Sequence, residues 1–546
     1  MRSGGQILID GLIQYGVNTA FCVPGESYLG ALDAMYQRSN QIRLITCRQE
    51  GGAAYMAEAW GKLTDQPGVV FVSRGPGTSN AMIGIHTAFQ DSTPLICFVG
   101  QISRRDRGRE AFQELNYHRA FAGIAKKVID IDDATRIPEQ LNQAWQHATT
   151  GRPGPVIVVL YEDMLKDEAE VADIVFESSS DPQHFPASPS STATEKVQGL
   201  LAAAKQPLVI CGDSSWDQEC AELVTRFAEQ QQLPIATAFR RQDSIDNKHP
   251  HYVGELGLVA PQSLIDYLYQ SDLLLVVGPR LGDITTQGYT LLQPPHGIKG
   301  QKLVHVHSSA EEINAVYRAD FSIVSDSKTF LEAMVEFGSA SIDRNQIIDN
   351  LHRGYLNFVT TPRPVENGVR MDRVMEFLRD RLPDDTIITN GAGNYTTWPQ
   401  RHYQFRLANT QLAPTNGSMG YGVPAAVAAQ LARSDSVVVS FSGDGCFLMN
   451  GQEVATAVQY QLPILFLVIN NNQYGTIRSH QERHYPGRVI GTDLVNPDFA
   501  ALGRAFGVNG YIVKETEEFE AVFEEALAAE GPALIEILQA AQTPSA

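Results

Sequence analysis

Residues 437–475 read VVVSFSGDGCFLMNGQEVATAVQYQLPILFLVINNNQYG, and this stretch decides the fold of the last third of the chain. The apolar run Val437–Phe441 predicts a buried strand, and Ile464–Ile469 predicts a second one. A helix is predicted between them, from about Phe447 to Tyr460. Strand, helix and strand in this order form a βαβ unit, which belongs to a parallel sheet.

Polar turns follow both strands of this unit. The first strand leads into Gly443-Asp444-Gly445 and the second into Asn470-Asn471-Asn472. Parallel strands have their carboxyl ends on one edge of the sheet, so we expect Asp444 and Asn471 side by side. A carboxylate, an amide oxygen and a nearby backbone carbonyl suit Mg²⁺ bound to a phosphate. The two glycines let the backbone approach that phosphate, and the helix start at Phe447 offers it free N–H groups.

Each turn taken singly is ordinary punctuation between strand and helix. Their occurrence together on one βαβ unit favours a site that binds a metal ion and a diphosphate. The net charge of the chain is −20, and it would repel a phosphate group. A bound metal ion would supply the local cation that the phosphate needs.

The alternation of β-rich and helical runs occurs twice more along the chain. We predict an α/β fold with three consecutive doubly wound parallel-sheet domains, at residues 1–166, 190–340 and 368–546. Val175–Glu195 is predicted to be a linker, and residues 340–367 a less ordered stretch. The further strands are expected at Thr19–Val23, Arg43–Cys47, Val69–Ser73, Leu95–Val99, Val156–Leu160, Pro207–Cys211, Pro234–Ala238, Leu273–Val277, Leu303–Val306, Thr386–Thr389 and Ala533–Ile537.

The composition is that of a globular protein with several domains. The chain has 546 residues, of which 43% are hydrophobic and 19% charged. Met1–Gly16 has the pattern of an amphipathic helix, and no stretch approaches the roughly 18 apolar residues of a membrane span. Six scattered cysteines indicate free thiols in a reducing cytoplasm. The acidic charge disfavours nucleic-acid partners.

Five segments together resemble thiamine diphosphate enzymes, in particular the acetolactate (acetohydroxyacid) synthase group. The resemblance covers nearly the whole chain, and its strongest part is GDG followed by NN at the expected separation. The segments are VPGE (23–26), RQEGGAAYMAEAWGKLT (48–64), RGPGTSNAMIGIHTAFQDSTPLICFVGQI (74–102), EAFQE (110–114) and the block from GSMGYGVPAA to NN (417–471).

The resemblance assigns Glu50 to the pyrimidine end of the cofactor. Alone, Glu50 is an ordinary acidic residue in a first helical turn. In thiamine enzymes a carboxylic acid holds a proton at N1′ of the pyrimidine, and a buried glutamate with a raised pKa suits this task. Gly417 would offer its carbonyl to the 4′-amino group, and Met419 falls on the large residue that bends the cofactor.

The resemblance also assigns residues to the metal and the diphosphate. Asp444, Asn471 and the backbone of Gln473 correspond to the metal ligands. Gly391, Asn394 and Tyr395 fall on a Gly-rich loop that ends in Gln-His in the synthases, so the side chains at its end differ here. We place the remaining diphosphate contacts at Gly445, Cys446 and Tyr474.

Four positions bear on which reaction follows. Gln113 falls on an active-site glutamine of the family, beside Phe112. Glu26 stands where synthases have a small residue, and a carboxyl there favours release of an aldehyde. Ile284 replaces an arginine thought to receive the second oxo acid. The synthases have a large tryptophan after the NN motif, and it is replaced here near His480. His480 is equally consistent with a residue that faces the substrate and with a surface residue.

The predicted function is thiamine diphosphate- and Mg²⁺-dependent decarboxylation of a 2-oxo acid, with transfer of the remaining fragment to a second carbonyl compound. The alternatives are a decarboxylase that releases an aldehyde, and a lyase acting on an acyl-CoA or hydroxyketone, for which Arg240-Arg241 is the only hint. The segment 237–257 does not resemble the FAD segment of the synthases, so we expect no FAD. The resemblance implies a homodimer at minimum, and commonly a homotetramer.

Overall fold

Short apolar runs bounded by glycine and proline form three six-stranded sheets. The computed structural model describes residues 1–64, 66–172, 186–340, 342–363 and 368–540. All strand pairs within the three sheets are parallel. Three parallel sheets with helices between their strands confirm the predicted α/β fold class.

The first sheet has the order β3-β2-β4-β5-β7-β6, and a separate antiparallel pair joins β1 to β8. Its core is made of apolar side chains from the strands and from the first helix of the chain, including Leu8, Phe71 and Phe98. The strands of this part are β1 Arg2–Ser3, β2 Thr19–Cys22, β3 Arg43–Thr46, β4 Gly68–Val72, β5 Leu95–Gln101, β6 Lys127–Ile131, β7 Pro155–Tyr161 and β8 Glu168–Ala169.

The second and third sheets have the orders β11-β10-β9-β12-β13-β14 and β16-β15-β17-β18-β20-β19. The first and third sheets share one order of strands, whereas the second has the order of dinucleotide-binding folds. The strands are β9 Pro207–Cys211, β10 Ile235–Thr237, β11 Tyr252–Glu255, β12 Leu273–Val277, β13 Lys302–His307, β14 Phe321–Val324, β15 Ile387–Asn390, β16 Gln411–Leu412, β17 Val438–Gly443, β18 Leu465–Asn470, β19 Asn509–Val513 and β20 Ala533–Leu538.

Nineteen α-helices lie in the described ranges, and none of them is long and apolar enough to cross a membrane. They are α1 Gly4–Gln14, α2 Leu29–Gln37, α3 Glu50–Thr64, α4 Gly75–Asp91, α5 Tyr117–Ala120, α6 Ile137–Thr149, α7 Ser191–Ala203, α8 Gln218–Gln231, α9 Gln262–Gln270, α10 Ser327–Val335, α11 Asn345–Thr360, α12 Met371–Arg381, α13 Thr397–His402, α14 Gly422–Ala432, α15 Asp444–Asn450, α16 Val454–Gln459, α17 Gly475–His484, α18 Phe499–Phe506 and α19 Phe519–Ala528.

The chain forms two compact units, each built from several segments. The first unit contains the first sheet, and the second unit contains the other two sheets. The three predicted domain ranges stay predictions. The first unit comprises Met1–His184, Pro414–Asp435 and Phe447–Ile464, and the second comprises Phe185–Ala413, Ser436–Cys446 and Leu465–Ala546.

Two expectations about connecting segments are wrong where the structure describes them. The stretch 340–367 contains the helix α11, whose buried face carries Ile348, Leu351, Tyr355 and Val359 at helical spacing. The predicted linker Val175–Glu195 ends inside α7, because the Ser190 side chain caps that helix. Residues 175–185 of the linker, together with 173–174, 341 and 364–367, lie outside the described residues.

Candidate active site

The two polar turns lie at neighbouring strand ends, as the sequence predicts. Strands β17 and β18 are adjacent, and Gly443 is paired with Ile469. Asp444 directly follows β17, and Asn471 directly follows β18. The carboxylate and the amide therefore occupy one edge of the third sheet.

Asp444 is a buried carboxylate, with 3% of its surface exposed. Its Oδ1 accepts the Gly445 N–H at 2.8 Å, and its Oδ2 accepts the Asn496 side-chain amide at 2.7 Å. Burial raises the pKa of Asp444, although these donors oppose the shift. Among the described residues no lysine or arginine pairs with it. A buried carboxylate without a cationic partner fits a divalent metal ion.

Amide side chains gather beside this carboxylate. Asn471 Oδ1 accepts the Gln473 N–H at 3.3 Å. The Gln473 side chain is buried, and within the described ranges neither its oxygen nor its nitrogen has a hydrogen-bond partner. A Cβ on Gly475 would lie 3.4 Å from the side-chain nitrogens of both Asn394 and Asn471. Polar atoms left unsatisfied at this point fit a site that is completed by a polar ligand.

The glycines of the GDG turn make room for two tyrosine rings, and their expected role at a phosphate stays a prediction. A Cβ on Gly443 would lie 2.8 Å from the Tyr395 ring, and one on Gly445 would lie 2.5 Å from the Tyr474 ring. Both positions therefore exclude side chains because two tyrosine rings pack against the turn. Tyr395 is fixed there, since its hydroxyl accepts the Gly391 N–H at 3.0 Å and donates to Cys446 Sγ at 3.1 Å.

The helix after the turn does not run from Phe447 to Tyr460. It begins at Asp444, ends at Asn450 and resumes at Val454 after a short 3-10 turn. The break falls at Asn450, whose φ of −141° and ψ of 22° lie outside the helical region, and a Cβ on the following Gly451 would lie 2.7 Å from the Phe447 ring. The first-turn N–H groups are thus those of the GDG turn, and the expected helix start at Phe447 is wrong.

Asn394 connects the Gly-rich loop to α17. Its Oδ1 accepts the Thr476 hydroxyl at 2.7 Å, and its amide nitrogen lies 3.5 Å from the Ser479 hydroxyl. The pair Asn394-Tyr395 thus links three segments of the second unit. Its assignment to the cofactor stays a prediction.

Glu50 is the first residue of α3 in the first unit. Its Oε2 accepts the Asn80 side-chain amide at 3.0 Å, and its Oε1 lies 3.0 Å from the position of a Cβ on Gly77. Glycine at position 77 lets α4 approach the carboxylate closely. Glu50 is half-buried within this unit, and its assignment to the pyrimidine stays a prediction.

A second carboxylate, missed from the sequence, supports the start of α3. Glu453 is fully buried, and its Oε1 accepts the N–H groups of Arg48 and Gln49, each at 3.0 Å. Burial raises the pKa of Glu453, and these N–H groups lower it. A Cβ on Gly52 would lie 2.7 Å from the same oxygen. Glu453 therefore sets the position of the helix that begins with Glu50.

The segment with Gly417 and Met419 also belongs to the first unit. Gly417 has a φ of 70°, which glycine adopts without strain. The Met419 carbonyl accepts the Tyr55 hydroxyl at 3.2 Å. The Thr415 N–H donates to Asp91 at 2.8 Å, which ties the segment to the end of α4.

The four residues expected to influence the reaction lie in exposed or half-buried places. Gln113 has a φ of 65°, and its carbonyl accepts the Gly75 N–H at 3.0 Å. Glu26 is exposed at the start of a 3-10 turn, and it follows Gly25, where a Cβ would lie 2.6 Å from Ser73 Cβ. His480 is exposed on α17 and stacks on His484 with ring centres 6.1 Å apart, so both interpretations stay open. Ile284 is half-buried in the second unit.

Three domain families match the chain. They are the thiamine pyrophosphate enzyme N-terminal TPP binding domain over residues 2–120, the central domain over 194–334 and the C-terminal TPP binding domain over 391–537. Together they cover most of the chain, and the third contains the edge of β17 and β18. The chain therefore belongs to the thiamine pyrophosphate enzyme family and is a thiamine diphosphate-dependent enzyme.

Similar proteins include acetolactate synthases from bacteria and archaea. The large subunit of Lactococcus lactis subsp. lactis is 30% identical over 93% of this chain and 87% of its own length. The isozyme 2 large subunit of Escherichia coli is 28% identical over 98% of this chain and 95% of its own. The probable large subunit of Methanocaldococcus jannaschii is 29% identical over 98% and 91%. These relatives confirm the predicted likeness to the acetolactate synthase group.

Proposed function

We propose that this enzyme decarboxylates a 2-oxo acid with thiamine diphosphate and Mg²⁺, and transfers the remaining fragment to a second carbonyl compound. The observation that carries the metal assignment is Asp444, a buried carboxylate without a lysine or arginine partner in the described part of the chain. The acetolactate synthases among its relatives support the transfer reaction.

Residues of the second unit would hold the metal and the diphosphate. Asp444, the Asn471 side chain and the Gln473 carbonyl supply three oxygen ligands of the kind that Mg²⁺ prefers. The metal then offsets the cost of burying Asp444 and neutralises part of the diphosphate charge. The unsatisfied Gln473 amide supports a polar ligand at this place.

Glu50 would hold a proton at N1′ of the pyrimidine. Thiamine diphosphate supplies the electron sink that makes loss of CO₂ from the oxo acid feasible. Asn80 and the close approach of α4 at Gly77 orient the Glu50 carboxylate, and Glu453 fixes the backbone that carries it. The Gly417 carbonyl would accept the 4′-amino group, and Met419 would support the ring.

Aldehyde release is the second candidate reaction. Glu26 is exposed in a loop where the family resemblance expects a small residue, and a carboxyl group there can deliver a proton. Ile284, in place of an arginine, supplies no charge to receive a second carboxylate. Both observations favour an acceptor other than a 2-oxo acid, or no acceptor at all.

Product analysis separates these reactions. The purified enzyme is incubated with thiamine diphosphate, Mg²⁺ and a panel of 2-oxo acids, and the organic product is identified by NMR. A 2-hydroxyketone or acetolactate supports the transfer reaction, whereas an aldehyde alone supports the second candidate. Absence of CO₂ from every acid, with cofactor bound, contradicts the proposed function.

We propose a homodimer as the minimum assembly and a homotetramer as the expected one. The family resemblance carries this proposal, since the two ends of the cofactor are held by different chains in these enzymes. Sedimentation velocity with and without cofactor measures the assembly, and a cofactor-loaded monomer with full activity contradicts it.

A further inference from the structure

Asn496 lies at a junction between the two motifs of the metal site. Its side-chain nitrogen is 2.7 Å from Asp444 Oδ2, 2.9 Å from Asn470 Oδ1 and 3.3 Å from Asn472 Oδ1. Three oxygens around one atom identify that atom as the amino group of the amide, because an oxygen there would face only acceptors. The two shorter distances are ordinary hydrogen bonds, and the third is weaker.

The Asn496 amino group completes the hydrogen bonding of the Asp444 carboxylate. The other oxygen of this carboxylate accepts the Gly445 N–H at 2.8 Å. Oδ1 thus accepts a hydrogen bond from the next residue of the same turn, Gly445, while Oδ2 accepts one from Asn496, which is far along the chain. Without Asn496, Oδ2 would lose its donor at 2.7 Å, and the carboxylate would keep the Gly445 N–H and the weaker influence of the Asn472 and Gln473 N–H groups.

The backbone holds Asn496 in this place independently of its side chain. The Leu494 N–H donates to the Asn472 carbonyl at 2.8 Å, and the Tyr474 N–H donates to the Thr492 carbonyl at 2.8 Å. The segment 492–496 therefore runs alongside the NN motif as a short antiparallel cover. Removal of the side chain leaves these main-chain bonds intact.

The bonds continue from Asn470 into the core of the third sheet. The Asn470 amide donates to Glu536 Oε1 at 2.7 Å, and Glu536 Oε2 accepts the Phe499 N–H at 2.9 Å at the start of α18. Asn470 and Glu536 are both buried. Asn496 is thus one end of a polar network anchored to a strand and a helix.

We infer that Asn496 is a positioning residue for the metal site, which orients the Asp444 carboxylate and fixes the NN turn relative to it. This inference rests on the proposed function, because it assumes that Asp444 binds the metal. Groups that orient a metal ligand commonly change metal affinity by about 10- to 100-fold when they are removed.

The test measures metal binding directly. Mn²⁺ is titrated into the full-length enzyme with thiamine diphosphate present, and free Mn²⁺ is followed by its EPR signal. Asn496→Ala is expected to bind Mn²⁺ about 10- to 100-fold more weakly than the unchanged enzyme. Val495→Ala, at the neighbouring and fully exposed position, is the matched control and is expected to bind normally.

A second measurement distinguishes positioning from general destabilisation. Turnover of Asn496→Ala is expected to need more Mg²⁺ for half-saturation and to approach the unchanged kcat at saturating Mg²⁺. The melting temperature without metal and cofactor is expected to stay close to that of Val495→Ala. Asn496→Leu fills a similar space but has no hydrogen-bond donor. If the alanine variant does not fold, the Mn²⁺ affinity of the leucine variant is measured instead.

Three outcomes overturn the inference: normal Mn²⁺ affinity in the alanine or leucine variant, a kcat that saturating Mg²⁺ does not restore, or failure of both variants to fold. The last outcome would assign Asn496 to general folding. Failure of the proposed function looks different, because the unchanged enzyme and Val495→Ala would then bind no Mn²⁺ with thiamine diphosphate.

Discussion

At the scale of single residues, the GDG turn combines a charged residue with two glycines that allow close packing. Asp444 carries the charge, while Gly443 and Gly445 make room for the rings of Tyr395 and Tyr474. The motif is visible in the sequence, but the packing of two tyrosine rings from other segments against it is not. The glycines are needed here for side-chain contacts made by those segments.

Gly445→Ala tests this packing. The added Cβ would lie 2.5 Å from the Tyr474 ring, so the ring or the turn must move. We expect a loss of unfolding free energy of about 1–3 kcal/mol in denaturant titration. The control is Gly199→Ala in α7, where a Cβ meets nothing within 4 Å. Unchanged stability of Gly445→Ala would refute the proposed contact.

Glu50→Gln tests the assignment of the proton donor. Glutamine keeps the shape and the contact with Asn80, but it holds no titratable proton for N1′. We expect a large fall in the rate of hydrogen exchange at C2 of bound thiamine diphosphate, followed by NMR in D₂O after acid quenching. Glu520→Gln, which changes an exposed carboxyl group on α19, serves as control. An unchanged rate in Glu50→Gln would remove this residue from catalysis.

At the scale of elements, α3 is held to its neighbours by buried charges. Lys62 on α3 pairs with Glu58 at 3.0 Å and with Asp91 at the end of α4. The Tyr421 hydroxyl donates to Glu58 at 2.5 Å. Through Glu58 this cluster joins α3 to Tyr421, and through Asp91 it joins α3 to Thr415, so that both ends of the segment that carries Gly417 and Met419 are tied to it within the first unit.

Lys62→Met is expected to be strongly destabilising. It leaves the carboxylates of Glu58 and Asp91 buried beside each other without their cation, which costs about 3–5 kcal/mol. The matched control is Arg381→Met, which removes an exposed ion pair with Glu524 and is expected to cost at most about 1 kcal/mol. Chemical denaturation measures both, and equal losses in the two variants would contradict the buried-charge account.

Edge strands account for what the sequence did not reveal about the sheets. Seven strands were not predicted. They are β1 and β8, which form the separate antiparallel pair, and β6, β11, β14, β16 and β19 of the three larger sheets. All seven lie at an edge of their sheet. An edge strand has a neighbour on one side only, so it does not need the continuous apolar run that marks a central strand. Lys127–Ile131 illustrates this, since its first residue is exposed and its fourth is an aspartate.

The site residues that come directly after a central strand could be predicted from the sequence. Asp444 and Asn471 follow central strands with clear apolar patterns, so the sheet rule places them together. Asn496, in the second unit, and Glu453, in the first, bond their partners through loop and helix contacts that depend on tertiary structure, and neither lies in a recognisable pattern. The break of the helix at Asn450 was missed as well, since no proline interrupts the apolar pattern there.

At the scale of the whole molecule, the first and third sheets have the same strand order. Identity between these parts is not visible in the sequence, yet the order agrees with an origin by duplication. The second sheet has the order of dinucleotide-binding folds, while the absence of FAD stays a prediction. The net charge of −20 means that repulsion among acidic groups throughout the chain contributes to the pH dependence of its stability.

Glu255 gives one measurable part of that dependence. Burial raises its pKa from 4.5 to about 8, so the folded protein holds the proton more tightly than the unfolded chain. Its contribution to stability is therefore complete below pH 4.5 and is lost as the pH rises towards 8. Glu255→Gln is neutral throughout, and its melting temperature is expected to fall less between pH 5 and pH 8 than that of the unchanged enzyme. Parallel curves would contradict the raised pKa.

The central claim is that CO₂ release from a 2-oxo acid requires thiamine diphosphate and a divalent metal bound at Asp444. The direct measurement is CO₂ release by enzyme stripped of metal and cofactor, before and after both are added, beside the Asp444→Ala variant. We predict release only when both are added, and a loss of at least about 100-fold in the variant, because a primary metal ligand matters more than the outer-shell groups whose removal costs about 10- to 100-fold. Release by stripped enzyme, or full activity of Asp444→Ala, would contradict it.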